Sequence, residues 1–274
     1  MPELPEVEVV RRGLHAHVVG RRIEDARFFG ARVARRHLPG PVDLADRLHG
    51  NLVQDARRRG KYLWLVLEAP DGHEQALIIH LGMSGQLLVE AAAAPRETHL
   101  HATFDFADDG PQLRFVDQRT FGGMALSELL PGGIPASISH IAPDLMEPAF
   151  DQGAVIARLK MRHTAIKRSL LDQGLLSGIG NIYADEALWR AGVHGGREAA
   201  TLSKPALGRL IEHARDGILV ALGHGRTTID ALSGNIKGPD CHSDRAHHLS
   251  RPQAPPMCPP RPLARPRALR QLPS

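Results

Sequence analysis

Cysteine is nearly missing from this chain of 274 residues: Cys241 and Cys258 are the only two. Two thiols exclude a disulfide-stapled scaffold and cannot supply a four-thiolate zinc site. Long apolar runs are missing as well, so no segment is expected to span a bilayer and no membrane partner is expected. The N-terminus lacks the basic, apolar and small-residue succession of a secretory signal, so a cytosolic protein is expected. Acidic charge is outweighed, with 34 Lys and Arg against 30 Asp and Glu for a net charge of +4. Arginines gather at Arg21, Arg22, Arg35, Arg36 and Arg57 to Arg59, which favours a polyanionic partner, although charge alone does not exclude a solvated basic face.

What is present falls into regions of different period. The stretches 23–29, 52–56, 61–68, 75–80, 86–90, 99–106 and 112–117 are apolar or alternating. Turn signals such as Pro39-Gly40-Pro41, Pro70-Asp71-Gly72 and Asp108-Asp109-Gly110 separate them, and short strands so punctuated predict an antiparallel sandwich or barrel. Pro, Gly and Ser then accumulate from Pro131 to Pro148, which reads as a hinge. Beyond it 154–161, 165–171, 182–191 and 204–222 suit helices, the last with Leu207, Leu210, Ile211, Ala214, Ile218 and Leu222 along one face. From Pro239 the chain is rich in Pro, Arg and His without apolar period, a composition that forms no core. With about two domains expected for this length, the predicted class is α+β. Its parts are a strand-rich domain at 1–130, a hinge at 131–150, a helical domain at 151–235 and an irregular tail at 236–274.

The chain opens Met1-Pro2-Glu3-Leu4-Pro5-Glu6-Val7. Once Met1 is removed, Pro2 presents a secondary amine that can attack an aldehyde carbon and persist as an iminium ion, with the Glu3 carboxyl beside it to handle protons. Taken alone, a helix start is the stronger reading. Pro5 suits the first helical position, and Leu4, Val7, Val10, Leu14 and Val18 recur at helical spacing.

Three loops call for a reason. In Leu175 to Tyr183 the glycines at 178 and 180 allow close backbone approach to another surface. Asn181 would stand at a helix N-terminus, as an ordinary N-cap or beside N–H groups suited to a phosphate. His80-Leu81-Gly82-Met83-Ser84-Gly85 places a methionine in a glycine-flanked turn, and Asp117-Gln118-Arg119-Thr120-Phe121-Gly122-Gly123 places Arg and Phe at a strand end. Two large apolar tips with an arginine between them suit a wedge that enters a base stack and fills the space of an extruded base.

These motifs, together with Arg59-Gly60-Lys61-Tyr62, His163-Thr164-Ala165-Ile166-Lys167 and Gly178 to Leu188, resemble the formamidopyrimidine-DNA glycosylase family, in order over residues 1–235. The resemblance implies an N-terminal β-sandwich, a hinge and a helix-two-turn-helix domain, with double-stranded DNA carrying oxidised bases or abasic sites in the cleft. It implies a monomer that excises oxidised purines such as 8-oxoguanine and nicks the abasic strand by β-elimination. Residue by residue, it makes Pro2 the nucleophile, Glu3 the acid that assists sugar-ring opening, and Lys61 the lysine of the elimination. Met83, Arg119 and Phe121 become the trio that fills the void, and His99, Arg119, Arg162 and Asn181 become DNA contacts. Two other readings stand beside it: a DNA-binding paralogue impaired in catalysis, and a relative acting on oxidised pyrimidines.

The tail departs from the family. The resemblance implies a hairpin zinc finger with two Cys-x-x-Cys pairs and an arginine that assists the second elimination. Here Cys241 and Cys258 are separated by sixteen residues, with His242, His247 and His248 nearby, and no cofactor or metal site is supported. A reading-frame slip and a divergent paralogue both account for such a tail. Either predicts weakened DNA affinity and a poor second cut.

Overall fold

The structure, a computed structural model, describes residues 2–224 and 235–236. The tail cysteines, its histidines and the arginine-bearing 225–229 stretch lie outside the described residues. The fold is α+β, with two five-stranded antiparallel sheets and six α-helices among the described residues. One sheet runs in the order β2-β3-β4-β8-β9, from strands Leu52–Arg59, Tyr62–Glu68, Glu74–His80, Gly123–Leu130 and Ile134–Pro135. The other runs β1-β6-β7-β5-β10, from Ile23–Phe28, Leu100–Phe106, Gln112–Asp117, Gly85–Glu90 and Asn235–Ile236. The last of these pairs its backbone with β5, Asn235 opposite Leu88.

Between the sheets lies the first core. Leu63, Leu65 and Leu67 of β3 and Leu77 and Ile79 of β4 meet Leu87, Phe104, Leu113 and Phe115. The alternate residues Trp64, Val66, Ala76 and Ile78 are buried too, against Ile138 and Ile141. That double burial explains why β3 reads as an unbroken apolar run rather than an alternation. The 131–150 stretch expected as a hinge therefore contributes part of the cover on the outer face of this sheet.

Helix α1 (Leu4–His17) turns Val7, Val10 and Leu14 into the sandwich core, while Leu4 sits in a second core made by the helical half. Pro5 takes the second helical position, one later than the sequence suggested, because Glu3 is the N-cap and its N–H donates to the Glu6 carboxylate at 2.9 Å. The second core packs α3 (Gln152–Lys160), α4 (Ile166–Leu170), α5 (Asn181–Ala191) and α6 (Lys204–His224), numbered after α2 (Pro41–Leu48). The face of α6 read from the sequence is the one that is buried: Leu207, Leu210, Ile211, Ala214 and Ile218.

Besides the two-residue strands β9 and β10 and two short 3-10 turns, a helix and a strand were not expected. Pro39-Gly40-Pro41 marks a turn, but Gly40, at φ 99°, is also the N-cap of α2, whose Leu44 and Leu48 are buried. Strand β8 reads Gly-Met-Ala-Leu-Ser-Glu-Leu-Leu, local chemistry closer to a helix. Pairing with β4 from Gln75 opposite Glu128 to His80 opposite Gly123 overrides that preference.

Candidate active site

The N-terminus is lodged against the turn that opens α5. Leu4 N–H donates to Gly178 O at 3.2 Å. The buried Glu3 carboxylate accepts from the N–H groups of Gly180 at 2.8 Å, Ile182 at 3.0 Å and Tyr183 at 3.5 Å. Those are the orphan donors of a helix N-terminus, satisfied here by a carboxylate from the far end of the chain. The glycines have their reason in the same place. A methyl on Gly178 would lie 2.7 Å from Leu4 Cδ1, and one on Gly180 would lie 2.3 Å from Glu3 Cδ. The surface approached so closely is the protein's own first turn. Gly180 is the N-cap and Asn181 the first helical residue, so the ordinary N-cap reading of Asn181 gives way; its side chain is exposed. Pro2, half-buried, immediately precedes this anchor.

Lys61 arrives from the two-residue turn between β2 and β3, where Gly60 takes φ 56° and packs on Ser177. A knot of charge fixes that turn. Asp144, fully buried, accepts from Gly60 N–H at 2.8 Å and from Arg58 at 2.6 Å, and Arg58 also donates to Glu8 of α1 at 3.0 Å. Burial alone would raise the Glu8 carboxyl, but hydrogen bonds and charge from Arg11 and Arg58 outweigh it and hold the group at about 2. Lys61 is 8% exposed, and burial lowers its pKa against the opposing pull of Glu3 and Glu6.

Glu3, Lys61, Gly180 and Asn181 line one cavity of about 500 Å³, together with Tyr62, His80, Gln173 and Ile182. His80 is pushed down to about 4 by burial and by Arg36, Arg35 and Lys61, so its imidazole is neutral at pH 7. From His80 the chain runs directly into the loop that carries Met83. Met83 and Phe121 are 42% and 44% exposed, and the Arg119 guanidinium stands 5.4 Å from the Phe121 ring centre. Met83, Arg119 and Phe121 thus stand exposed on two loops that meet through Gly82 and Gly122.

His99 is exposed, and its carbonyl accepts from Asp117 N–H at 3.0 Å. Arg162 is engaged elsewhere, by Asp172 at 2.6 Å. Sequence reasoning passed over His80, Gln173 and Asp144 as site residues. Gln173 receives Gly178 N–H at 2.9 Å and donates to Ile179 O at 3.0 Å, fixing the turn below Glu3. Asp144 lies in the stretch read as hinge and carried no signal, since Arg58 and Gly60, which tie it to the site, are more than eighty residues away. Among the described residues no group of His, Cys, Asp or Glu is arranged to hold a metal. A chain with two cysteines does not fit a four-thiolate zinc finger.

Residues 1–124 match the family described as formamidopyrimidine-DNA glycosylase N-terminal domain, and residues 141–233 match its H2TH domain. The formamidopyrimidine-DNA glycosylase of Salinispora arenicola is 54% identical over 248 residues, 90% of this chain and 84% of the relative. Among solved structures, Lactococcus lactis Fpg (MutM) in complex with DNA containing an oxidised pyrimidine is 34% identical with a TM-score of 0.71, covering 82% of this chain and 81% of that one. MutM in complex with DNA containing carbocyclic 8-oxo-G gives the same identity and TM-score, over 82% and 80% of the two chains. The class is that of the DNA-repair glycosylases. Within it, the chain belongs to the formamidopyrimidine-DNA glycosylase family.

Proposed function

We propose that this protein, acting as a monomer on double-stranded DNA, removes oxidised purines and then cuts the abasic strand. The observation that carries the reading is the junction at the cavity. A carboxylate next to Pro2 is pinned by the first turn of α5, and a lysine of lowered pKa lines the same space. Freed by removal of Met1, the Pro2 nitrogen attacks C1′ of an extruded nucleotide as the glycosidic bond breaks and the base departs. The attacking nitrogen sheds its N–H proton to the Glu3 carboxylate, which passes it to O4′ as the C1′–O4′ bond breaks and the sugar ring opens, leaving an iminium ion between Pro2 and C1′. The iminium acidifies C2′–H; Lys61 takes that proton, the C3′–O bond breaks and the strand is nicked. Extrusion is needed because a stacked base is out of reach, and Met83, Arg119 and Phe121 are proposed to fill the gap. His99, Arg162 and Asn181 are proposed to grip the DNA, so affinity should fall as salt rises.

Borohydride trapping tests this reading. A covalent adduct on an abasic duplex, lost in Pro2→Gly with an extra N-terminal residue, is expected; its absence with the intact protein refutes the chemistry. The Lactococcus relative bound to an oxidised pyrimidine supports a second reading, in which pyrimidine lesions are also substrates. Release of 8-oxoguanine against release of an oxidised pyrimidine distinguishes the two.

A further inference from the structure

We propose that Asp117 is a positioning residue for base extrusion, a clasp that joins two loops into one preformed plug. The inference rests on the proposed void-filling role of Met83, Arg119 and Phe121 and adds what holds them. Asp117 is 1% exposed at the end of β7. Its Oδ1 accepts from Ser84 Oγ at 2.5 Å, next to Met83, and from Arg119 N–H at 3.2 Å. Its Oδ2 accepts from Gly122 N–H at 2.7 Å, next to Phe121. Ser84 Oγ also receives Arg119 N–H at 3.0 Å. One carboxylate therefore ties the backbone or the nearest neighbour of all three tips.

A second brace comes from outside the two loops. Arg35, on the segment after β1, donates to the carbonyls of Thr120 at 3.3 Å, Phe121 at 2.6 Å and Gly122 at 2.8 Å. Backbone packing allows no slack: a methyl on Gly82 would lie 2.4 Å from Gly122 N, and Thr120 takes φ 55°, a left-handed conformation that a non-glycine residue keeps only when its surroundings impose it. Loops held this way need no ordering when they meet DNA, and a group kept in its working geometry saves that cost at the step where it acts. Asp117 is buried and meets the tips only through backbone N–H groups and Ser84, so its part is to place them.

The test is a mutational cycle between Asp117→Asn and the combined Met83→Ala, Arg119→Ala, Phe121→Ala variant. Extrusion is read by 2-aminopurine fluorescence beside the lesion, excision by single-turnover base release from duplex. Borohydride trapping on an abasic site in single-stranded DNA, where no base must be expelled, is the control for intact chemistry. Asp117→Asn should slow extrusion and duplex excision about 10- to 100-fold, the scale of a misplaced positioning contact. It should leave single-strand trapping unchanged and add nothing in the combined background. An undiminished loss in that background, or no loss where the combined variant is slow, overturns the clasp. If the combined variant itself excises at the normal rate, the void-filling reading fails and the clasp with it. Should Asp117→Asn not fold, Ser84→Ala removes one partner of the same carboxylate and should give the same pattern with a smaller loss.

Discussion

Gly180→Ala isolates the contact between the two ends of the fold. The backbone at 180 is extended, φ −120° and ψ −165°, so a side chain is tolerated by the chain itself. The difficulty is space: the added methyl would lie 2.3 Å from Glu3 Cδ and 2.4 Å from its Oε1. What yields is the carboxylate, the movable end of a side chain, and in yielding it gives up the N–H groups of Gly180 and Ile182 at 2.8 and 3.0 Å. Two hydrogen bonds to a charged group contribute roughly 3–5 kcal/mol together. The proton donor proposed for ring opening is displaced at the same time, which should slow excision about a hundredfold or more. Urea unfolding and single-turnover excision measure the two losses. Because both act through one carboxylate, Gly180→Ala should cost little further rate in a Glu3→Gln background. Wild-type stability and rate in Gly180→Ala would refute the claim that α5 holds Glu3 in place.

Acid should destabilise the protein through His80. Its folded pKa of about 4 lies below the ordinary 6.5, so the unfolded chain binds a proton in that window and the folded one does not. Stability is then flat above pH 6.5 and falls by about 2–3 kcal/mol as pH drops toward 4; His80→Asn should flatten that part of the profile in thermal melts. In α6, methyls on Gly208 and Gly217 would meet no atom closer than 3.7 and 3.6 Å. Each Gly→Ala change should therefore stabilise by about 0.5–1 kcal/mol in denaturant titrations. Asp172→Asn releases Arg162 from its ion pair. A partly exposed pair is worth about 1 kcal/mol at most, so affinity for duplex should rise by up to about fivefold at low salt, and an unchanged affinity would take Arg162 out of the interface.

Much of the fold was legible locally. Turn-punctuated strands, the apolar face of α6 and the glycine-flanked tips at 83 and 121 depend on residues close together in the chain, and the structure has the corresponding elements. Helix α2 and strand β8 were missed for opposite reasons. Pro-Gly-Pro marks a turn and a helix start equally well, and β8 becomes a strand only because β4 lies beside it. Asp144 was illegible because a lone carboxylate in a Pro-rich stretch resembles any other until Arg58 and Gly60 are folded against it.

The sequence by itself determined which residue types were on hand: a proline at position 2, a carboxyl at Glu3, a lysine after Gly60, and glycines where backbones touch. It could do so because those properties belong to single residues and short spacings. Only the tertiary structure decided what Gly178 and Gly180 approach, that Glu3 caps a helix starting nearly 180 residues away, and that one buried aspartate at 117 secures two loops. Those contacts join segments with no shared period, so they exist only once the cores have packed and brought the ends of the chain together.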